Sequence, residues 1–206
     1  MVSVGVLVSG RGSNFESLAR ALKHDAFTAS VRLLISNVPD AAALKRAEML
    51  DIPSLVVNHH DYKTRQAFEL ELIDKLRQHE IDLVCLAGFM RILSTTFIEE
   101  YRNRVMNVHP SLLPAFAGLH GSNVHAEVLA AGVKITGCTV HFVTDEVDAG
   151  PIILQRAIPV REEDTPESLA LRVLIEEHKA YPEAVSLFSK DKLRIDGRRV
   201  RIVSPL

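Results

Sequence analysis

The chain has 206 residues, 47% of them hydrophobic and 24% charged, with a formal net charge of -2. These values describe a globular protein with a sizeable core and exclude a disordered chain. The near-neutral balance leaves no electrostatic footprint of a nucleic-acid binder, and no apolar run reaches the roughly 18 residues of a membrane span. Met1 to Val8 is apolar but too short for a signal peptide and has no basic start, so a cytoplasmic protein is expected. Cys85 and Cys138 both lie in apolar, strand-like runs, where buried free thiols are expected rather than a disulfide framework.

Val2 to Val8 is a dense β-branched run, read as a fully buried strand. Asn14 to His24 reads as a helix with Phe15, Leu18 and Leu22 on one face, and Val31 to Ile35 as a second strand. Ala41 to Leu50 is Ala-rich and helical, with Asp40 as the expected N-cap. Ser54 to Val57 forms a third strand. Thr64 to His79 is an amphipathic helix burying Phe68, Leu72, Ile73 and Leu76. Leu83 to Leu86 is a fourth strand, Thr96 to Tyr101 a short helix and Val105 to Val108 a fifth strand. Strands alternating with helices over short connections predict an α/β fold with a doubly wound, mostly parallel twisted sheet.

Beyond Pro110 the pattern changes. Pro110, Pro114 and Gly118 bound an irregular loop, followed by a helix over Val124 to Ala131. Thr139 to Val143 and Ile152 to Ile158 are strands joined by the loop Asp145 to Pro151. Thr165-Pro166-Glu167 opens a long helix, with Thr165 as N-cap and Pro at the first helical position. Leu193 to Ile202 reads as a hairpin around Asp196-Gly197, a type I′ turn signal, which makes an antiparallel C-terminal extension. Arg194, Arg198, Arg199 and Arg201 are its solvated face. Met49 and Met90 read as core filler.

Ser9-Gly10-Arg11-Gly12-Ser13-Asn14 joins the first strand to the first helix. Glycines there let backbone N–H groups approach an anion at a helix N-terminus, with Ser13 as N-cap or phosphate donor. A dinucleotide fingerprint needs a third glycine where Phe15 stands, and a Walker A loop needs a lysine after Gly12. A monoester phosphate remains; a tight turn with no ligand explains the spacing equally well.

Asn107-Val108-His109 ends the fifth strand, and residues two apart on a strand share a face. An amide donor beside an imidazole suits acyl transfer, where an oxyanion forms and an amine loses a proton. Asp148, in an apolar-flanked loop before Ala149-Gly150, is a candidate carboxylate to orient His109 and stabilise its imidazolium form. The alternative is an ordinary turn aspartate.

Ser9 to Asn14, Ala87-Gly-Phe-Met-Arg-Ile-Leu93, Asn107-Val-His-Pro-Ser-Leu-Leu-Pro114, Gly118-Leu-His120 and Val143-Thr-Asp-Glu-Val-Asp-Ala-Gly-Pro151 together resemble the phosphoribosylglycinamide formyltransferases, a branch of the folate-dependent formyltransferases. The resemblance runs in order over nearly the whole chain. It implies the Rossmann-like formyltransferase fold, with Asn107, His109 and Asp148 as the catalytic trio. Gly12, Ser13 and Asn14 match the phosphate loop, and Glu177 a carboxylate that holds the ribose hydroxyls. Met90, Arg91, Ile92 and Leu93 match the segment lining the folate pocket, with the loop from Val143 through Asp145 to Asp148 as its other wall. Arg65 matches a residue that meets the folate's glutamate tail, and His141 a histidine near the site, expected only behind the trio. The stretch Gly121-Ser122-Asn123-Val124 is a few residues longer than members usually have after Gly-Leu-His, and the next histidine is His125.

The activity implied is transfer of a formyl group from 10-formyltetrahydrofolate, a co-substrate, to the amine of glycinamide ribonucleotide. The nine histidines form no His-Glu-x-x-His or related motif, and no metal is expected. A formyltetrahydrofolate hydrolase is the nearest rival; that family usually carries an N-terminal regulatory domain, whereas this chain starts at its first strand. A methionyl-tRNA formyltransferase would need an RNA-binding domain after Ile202. A non-enzymatic phosphate-binding module would explain the glycine loop and leave the trio as coincidence. The expectation is one formyltransferase domain over 1–206, with a phosphate-binding half (1–109) and a half carrying folate-site loops and the long helix (110–206). Its partners would be small molecules, with no nucleic acid or membrane, in a monomer or homodimer.

Overall fold

A computed structural model describes residues 1–24 and 27–203. The chain divides into two compact units, Met1–Asn107 and Val108–Leu206. In the first, β1 (Val2–Val8), α1 (Ser13–Leu22), β2 (Ala29–Ser36), α2 (Ala42–Met49), β3 (Ser54–Val56), α3 (Arg65–Gln78), β4 (Leu83–Leu86), α4 (Thr95–Glu100) and the start of β5 (Val105–His109, whose last two residues fall in the second unit) follow in order, with a 3-10 turn at His59–Asp61 before α3. The strands lie in the order β3-β2-β1-β4-β5 and every pair is parallel.

The chain thus winds outward from β1 through β2 to β3, then crosses to β4 on the opposite side of β1. In an open parallel sheet that reversal is where ligands bind, outside the carboxyl ends of the strands. The register aligns those ends: Leu7 pairs with Leu86 and Leu86 with Asn107. The glycine loop after Val8, the segment after Leu86 and Asn107 therefore emerge side by side. The apolar runs behind this rim form the core, with Val6, Leu7, Leu34, Val84 and Cys85 fully buried.

The second unit holds α5 (Ser122–Ala130), β6 (Ile135–Phe142), β7 (Ile152–Pro159), α6 (Pro166–Ser189), β8 (Leu193–Asp196) and β9 (Arg199–Ile202). β6 and β7 are antiparallel, as are β8 and β9, and β9 joins β7. Thr165 caps α6 as expected, within a reciprocal capping box with Ser168. Cys85 and Cys138 are both buried and free.

Several local expectations are corrected. Ala41, not Asp40, is the N-cap of α2, without a side-chain bond; the Ala43 N–H donates instead to the Gly10 carbonyl at 3.1 Å, a partner 33 positions away. Gly12 rather than Ser13 caps α1, because its left-handed backbone (φ 74°, ψ 25°) turns the loop into the helix. Met49 and Met90 are exposed rather than core. The hairpin register pairs Asp196 with Arg199, leaving Gly197 and Arg198 as the turn. Only Gly197 of the two has positive φ, so the turn is not type I′, which needs both.

Candidate active site

In the first unit, the glycine loop is held from behind by α2. A Cβ added at Gly12 would lie 2.5 Å from the Ala43 Cβ, so the residue is constrained by contact as well as by its backbone. The Glu16 N–H donates to the Gly12 carbonyl at 2.9 Å. Arg46 donates through Nε to the Arg11 carbonyl at 2.9 Å and pairs with Glu16. The cap of α1 makes no side-chain bond, so no cap side chain covers the opening turn at Ser13 and Asn14. Such a turn is suited to an anion.

Beside it runs the segment from Ala87. The Ser9 N–H donates to the Gly88 carbonyl at 3.1 Å, and the Met90 N–H donates to Ser9 Oγ at 2.8 Å. Met90, Arg91 and Ile92 are exposed and Leu93 is buried. Arg65 lies near the end of this segment. Its Nε donates to Glu69 Oε1 at 2.9 Å, and the same oxygen accepts the Ser94 N–H at 2.9 Å. Arg65 is thus tied to a buried carboxylate while remaining half-exposed.

In the second unit, His109 is 3% exposed. Its Nδ1 lies 3.4 Å from Asp148 Oδ2, and its Nε2 lies 3.3 Å from the Phe116 carbonyl oxygen. Asp148 also accepts the Gly118 N–H at 2.8 Å. Its backbone is left-handed (φ 53°), a conformation that Asp tolerates better than most residues. His141 faces the other carboxylate oxygen, with Nε2 at 3.8 Å, while its Nδ1 meets the Phe142 carbonyl at 2.9 Å. The loop bearing Phe116 is fixed by Thr139 Oγ1, which accepts the Leu113 N–H and donates to the Ser111 carbonyl, and by Gln155, which donates to the Leu113 carbonyl.

Both His109 nitrogens therefore face acceptors, an arrangement that favours the charged ring. Burial outweighs it: the His109 pKa falls below its ordinary 6.5, mainly through desolvation, with Asp148 and the Phe116 carbonyl acting against the fall and His120 adding to it. Burial thus biases the ring towards its neutral form, whereas Asp148 and the Phe116 carbonyl favour the imidazolium. His125 and His141 are lowered as well, each chiefly by burial. His125 is buried on α5 within electrostatic reach of His109, and its Nδ1 has no hydrogen-bond partner.

The structure thus brings together His109 and Asp148, and sequence alternation along β5 puts Asn107 on the His109 face. Gly12, Ser13 and Asn14 share the start of α1, and Met90 to Leu93 lie beside Ser9. Glu177 is buried on α6 near Cys138, whose thiol is pushed up to about 12, first by burial and then by Glu177. Val143 is half-buried just after β6, and Asp145 is exposed on the following loop. His141 lies behind His109 and Asp148, the place the resemblance implies for it, while sequence reasoning missed the Phe116 carbonyl and the Gly118 N–H. The signal for His141 was the resemblance, and its position on an apolar strand, where a histidine needs a partner, agrees with it. Among the described residues, no group of three or more His, Cys, Asp or Glu could hold a metal ion, and no helix is long and apolar enough to cross a membrane.

Residues 2–185 match the formyl transferase family model. The chain is 47% identical over 199 residues, 97% of its length, to the trifunctional purine biosynthetic protein adenosine-3 of Bos taurus. It spans about a fifth (19%) of that relative's own length. It is 42% identical over 185 residues to the phosphoribosylglycinamide formyltransferase of Bacillus subtilis, covering 90% of this chain and 93% of that protein. The crystal structure of glycinamide ribonucleotide transformylase 1 from Symbiobacterium toebii superposes with a TM-score of 0.96 at 45% identity, covering 99% of this chain and 95% of that one. A family match over nearly the whole sequence, a sheet with its reversal at β1 and β4, and a buried His–Asp pair agree, and the chain belongs to the formyl transferase family.

Proposed function

We propose that the chain transfers the formyl group of 10-formyltetrahydrofolate to the amine of glycinamide ribonucleotide, giving formylglycinamide ribonucleotide and tetrahydrofolate in purine biosynthesis. The observation that carries this reading is the buried His109–Asp148 pair, with His109 on the strand that also bears Asn107. Relatives named for this activity support it over nearly their whole length. The reading treats the halves 1–109 and 110–206 as one cytoplasmic catalytic domain, monomeric or homodimeric.

The substrate amine attacks the formyl carbon directly. As the new C–N bond forms, neutral His109 takes the proton that the amine releases. The ring then carries two N–H groups, with Asp148 facing Nδ1 and the Phe116 carbonyl facing Nε2. The charge that burial disfavours in the resting ring is thereby accommodated when it is needed. The Asn107 amide donates to the developing oxyanion. Collapse breaks the bond from carbon to N10, and N10 receives the proton from His109. His141, facing the second Asp148 oxygen, keeps the carboxylate in line. The opening turn of α1, with Gly12, Ser13 and Asn14, takes the ribonucleotide's phosphate, and buried Glu177 takes its ribose hydroxyls. Met90, Arg91, Ile92 and Leu93 form one wall for the folate, Val143 and Asp145 belong to the other, and Arg65 meets the glutamate tail.

The test is absorbance-monitored consumption of 10-formyltetrahydrofolate with and without glycinamide ribonucleotide. Turnover that requires the ribonucleotide is expected. Formate release at the same rate without it would establish a hydrolase, and tight binding of both compounds with no turnover would establish a binding module.

A further inference from the structure

The two ligand segments of the first unit meet at one hydroxyl. Ser9 is the first residue of the glycine loop, and its Oγ accepts the Met90 N–H at 2.8 Å while donating to Asn37 Oδ1 at 2.6 Å. With the Met90 N–H taking a lone pair of the hydroxyl and Asn37 presenting its oxygen to the hydroxyl proton, all three groups are satisfied. The Asn37 amide is itself fixed. It is 2% exposed, its N–H donates to the Val8 carbonyl at 3.3 Å, and its Nδ2 lies 3.2 Å from His59 Nδ1. The Ser9 N–H completes the tie through the Gly88 carbonyl at 3.1 Å. The tie stands at the reversal between β1 and β4, where the loop for one substrate and the wall for the other leave neighbouring strands.

We propose that Ser9, anchored by Asn37, is a positioning residue that couples the two substrate sites, so that filling the glycine loop with the ribonucleotide's phosphate presets the Met90 to Leu93 segment for the folate. This rests on the functional reading above. A shift of the glycine loop drags Ser9 Oγ, and Ser9 Oγ holds the Met90 N–H; the segment cannot settle independently of the loop. Coupling between two sites is reciprocal, so each ligand tightens the other by the same factor.

The experiment is calorimetric titration of the full chain with glycinamide ribonucleotide, with and without saturating tetrahydrofolate, a pair that cannot react. In the wild type, tetrahydrofolate tightens ribonucleotide binding about 5-fold or more. The factor drops towards one in Ser9→Ala and returns in Ser9→Thr, which keeps the hydroxyl. A purely structural tie would lower thermal stability in Ser9→Ala yet leave the factor intact, and that result overturns the proposal. Should Ser9→Ala not fold, Asn37→Ala removes the acceptor while leaving Ser9 in place and reads the same factor. A wild-type factor of one or less, with both ligands bound, overturns the coupling alone. A wild type that binds neither ligand overturns the functional reading and the coupling with it.

Discussion

The two units approach their ligands by different physics. The first offers backbone: a left-handed glycine cap, an opening helical turn with no side-chain cap bond, and carbonyls held by Arg46, Ala43 and Ser9. The second offers titratable side chains taken out of water, with His109, His125, His141 and the Asp148 side chain all buried. Backbone geometry recognises a shape and a charge without changing its own protonation. Buried imidazoles hold a proton poorly at rest and well when a carboxylate is in line. The contrast teaches that damage to the glycine loop belongs in substrate affinity, and damage to the side chains at the end of β5 and around Asp148 in turnover and pH dependence.

The sharpest way to break that division is to remove the side chains of β5. His109→Ala is expected to lower kcat by ~10²–10⁴, and Asn107→Ala by ~10²–10³. Steady-state assays should show the KM for the ribonucleotide changed far less than kcat; a loss residing in KM would erase the contrast. On the other side, Gly12→Ala puts a methyl 2.5 Å from the Ala43 Cβ and a side chain at φ 74°. The KM for the ribonucleotide should rise about 10-fold, equivalent to about 1.4 kcal/mol, with kcat little altered. An unchanged KM would remove the phosphate from this loop.

Stability against pH gives a smaller effect, confined to the second unit's histidines. His109, His125 and His141 have pKa values lowered from 6.5 by burial. Below pH 6.5 the unfolded chain takes up protons that the folded chain refuses, so stability falls as the pH falls from 6.5 towards the folded values and is fully present above 6.5. The slope is about 1.4 kcal/mol per pH unit for each such proton. Thermal melts between pH 7.5 and about 5 should show it, and His125→Phe, if it packs, should make the slope shallower. At the bottom of the scale, Met49 is 77% exposed. Met49→Gln should change stability by no more than about 0.5 kcal/mol in a denaturant melt; a larger loss would mean that its end of α2 is packed.

Much of the fold was legible because periodicity and apolar runs are local signals. β1, β4 and the Thr165 cap fall where the sequence puts them, and other boundaries shift by one to a few residues. What was misread depends on partners far along the chain. Asp40 has the right chemistry for a cap, but the Gly10 carbonyl already takes the Ala43 N–H. Met49 has the right hydrophobicity for a core, but it sits on the solvent side at the end of its helix. In the site, the Asn107–His109 spacing was readable from strand alternation. That Asp148 meets His109 rests on a contact 39 residues away, which spacing alone left open against a turn aspartate. The downward shift of the His109 pKa was not legible for a related reason: a neighbouring carboxylate can be guessed from sequence, whereas the amount of water removed around the ring cannot.

The proposed chemistry turns on one imidazole, biased towards its neutral form by burial and faced by Asp148. The most direct measurement is a histidine ring NMR titration of the free chain, with the His109 signal identified by its loss in His109→Asn. A midpoint below 6.5, moving lower still in Asp148→Asn, is the predicted result. A midpoint at or above 6.5, or one indifferent to Asp148, would contradict it.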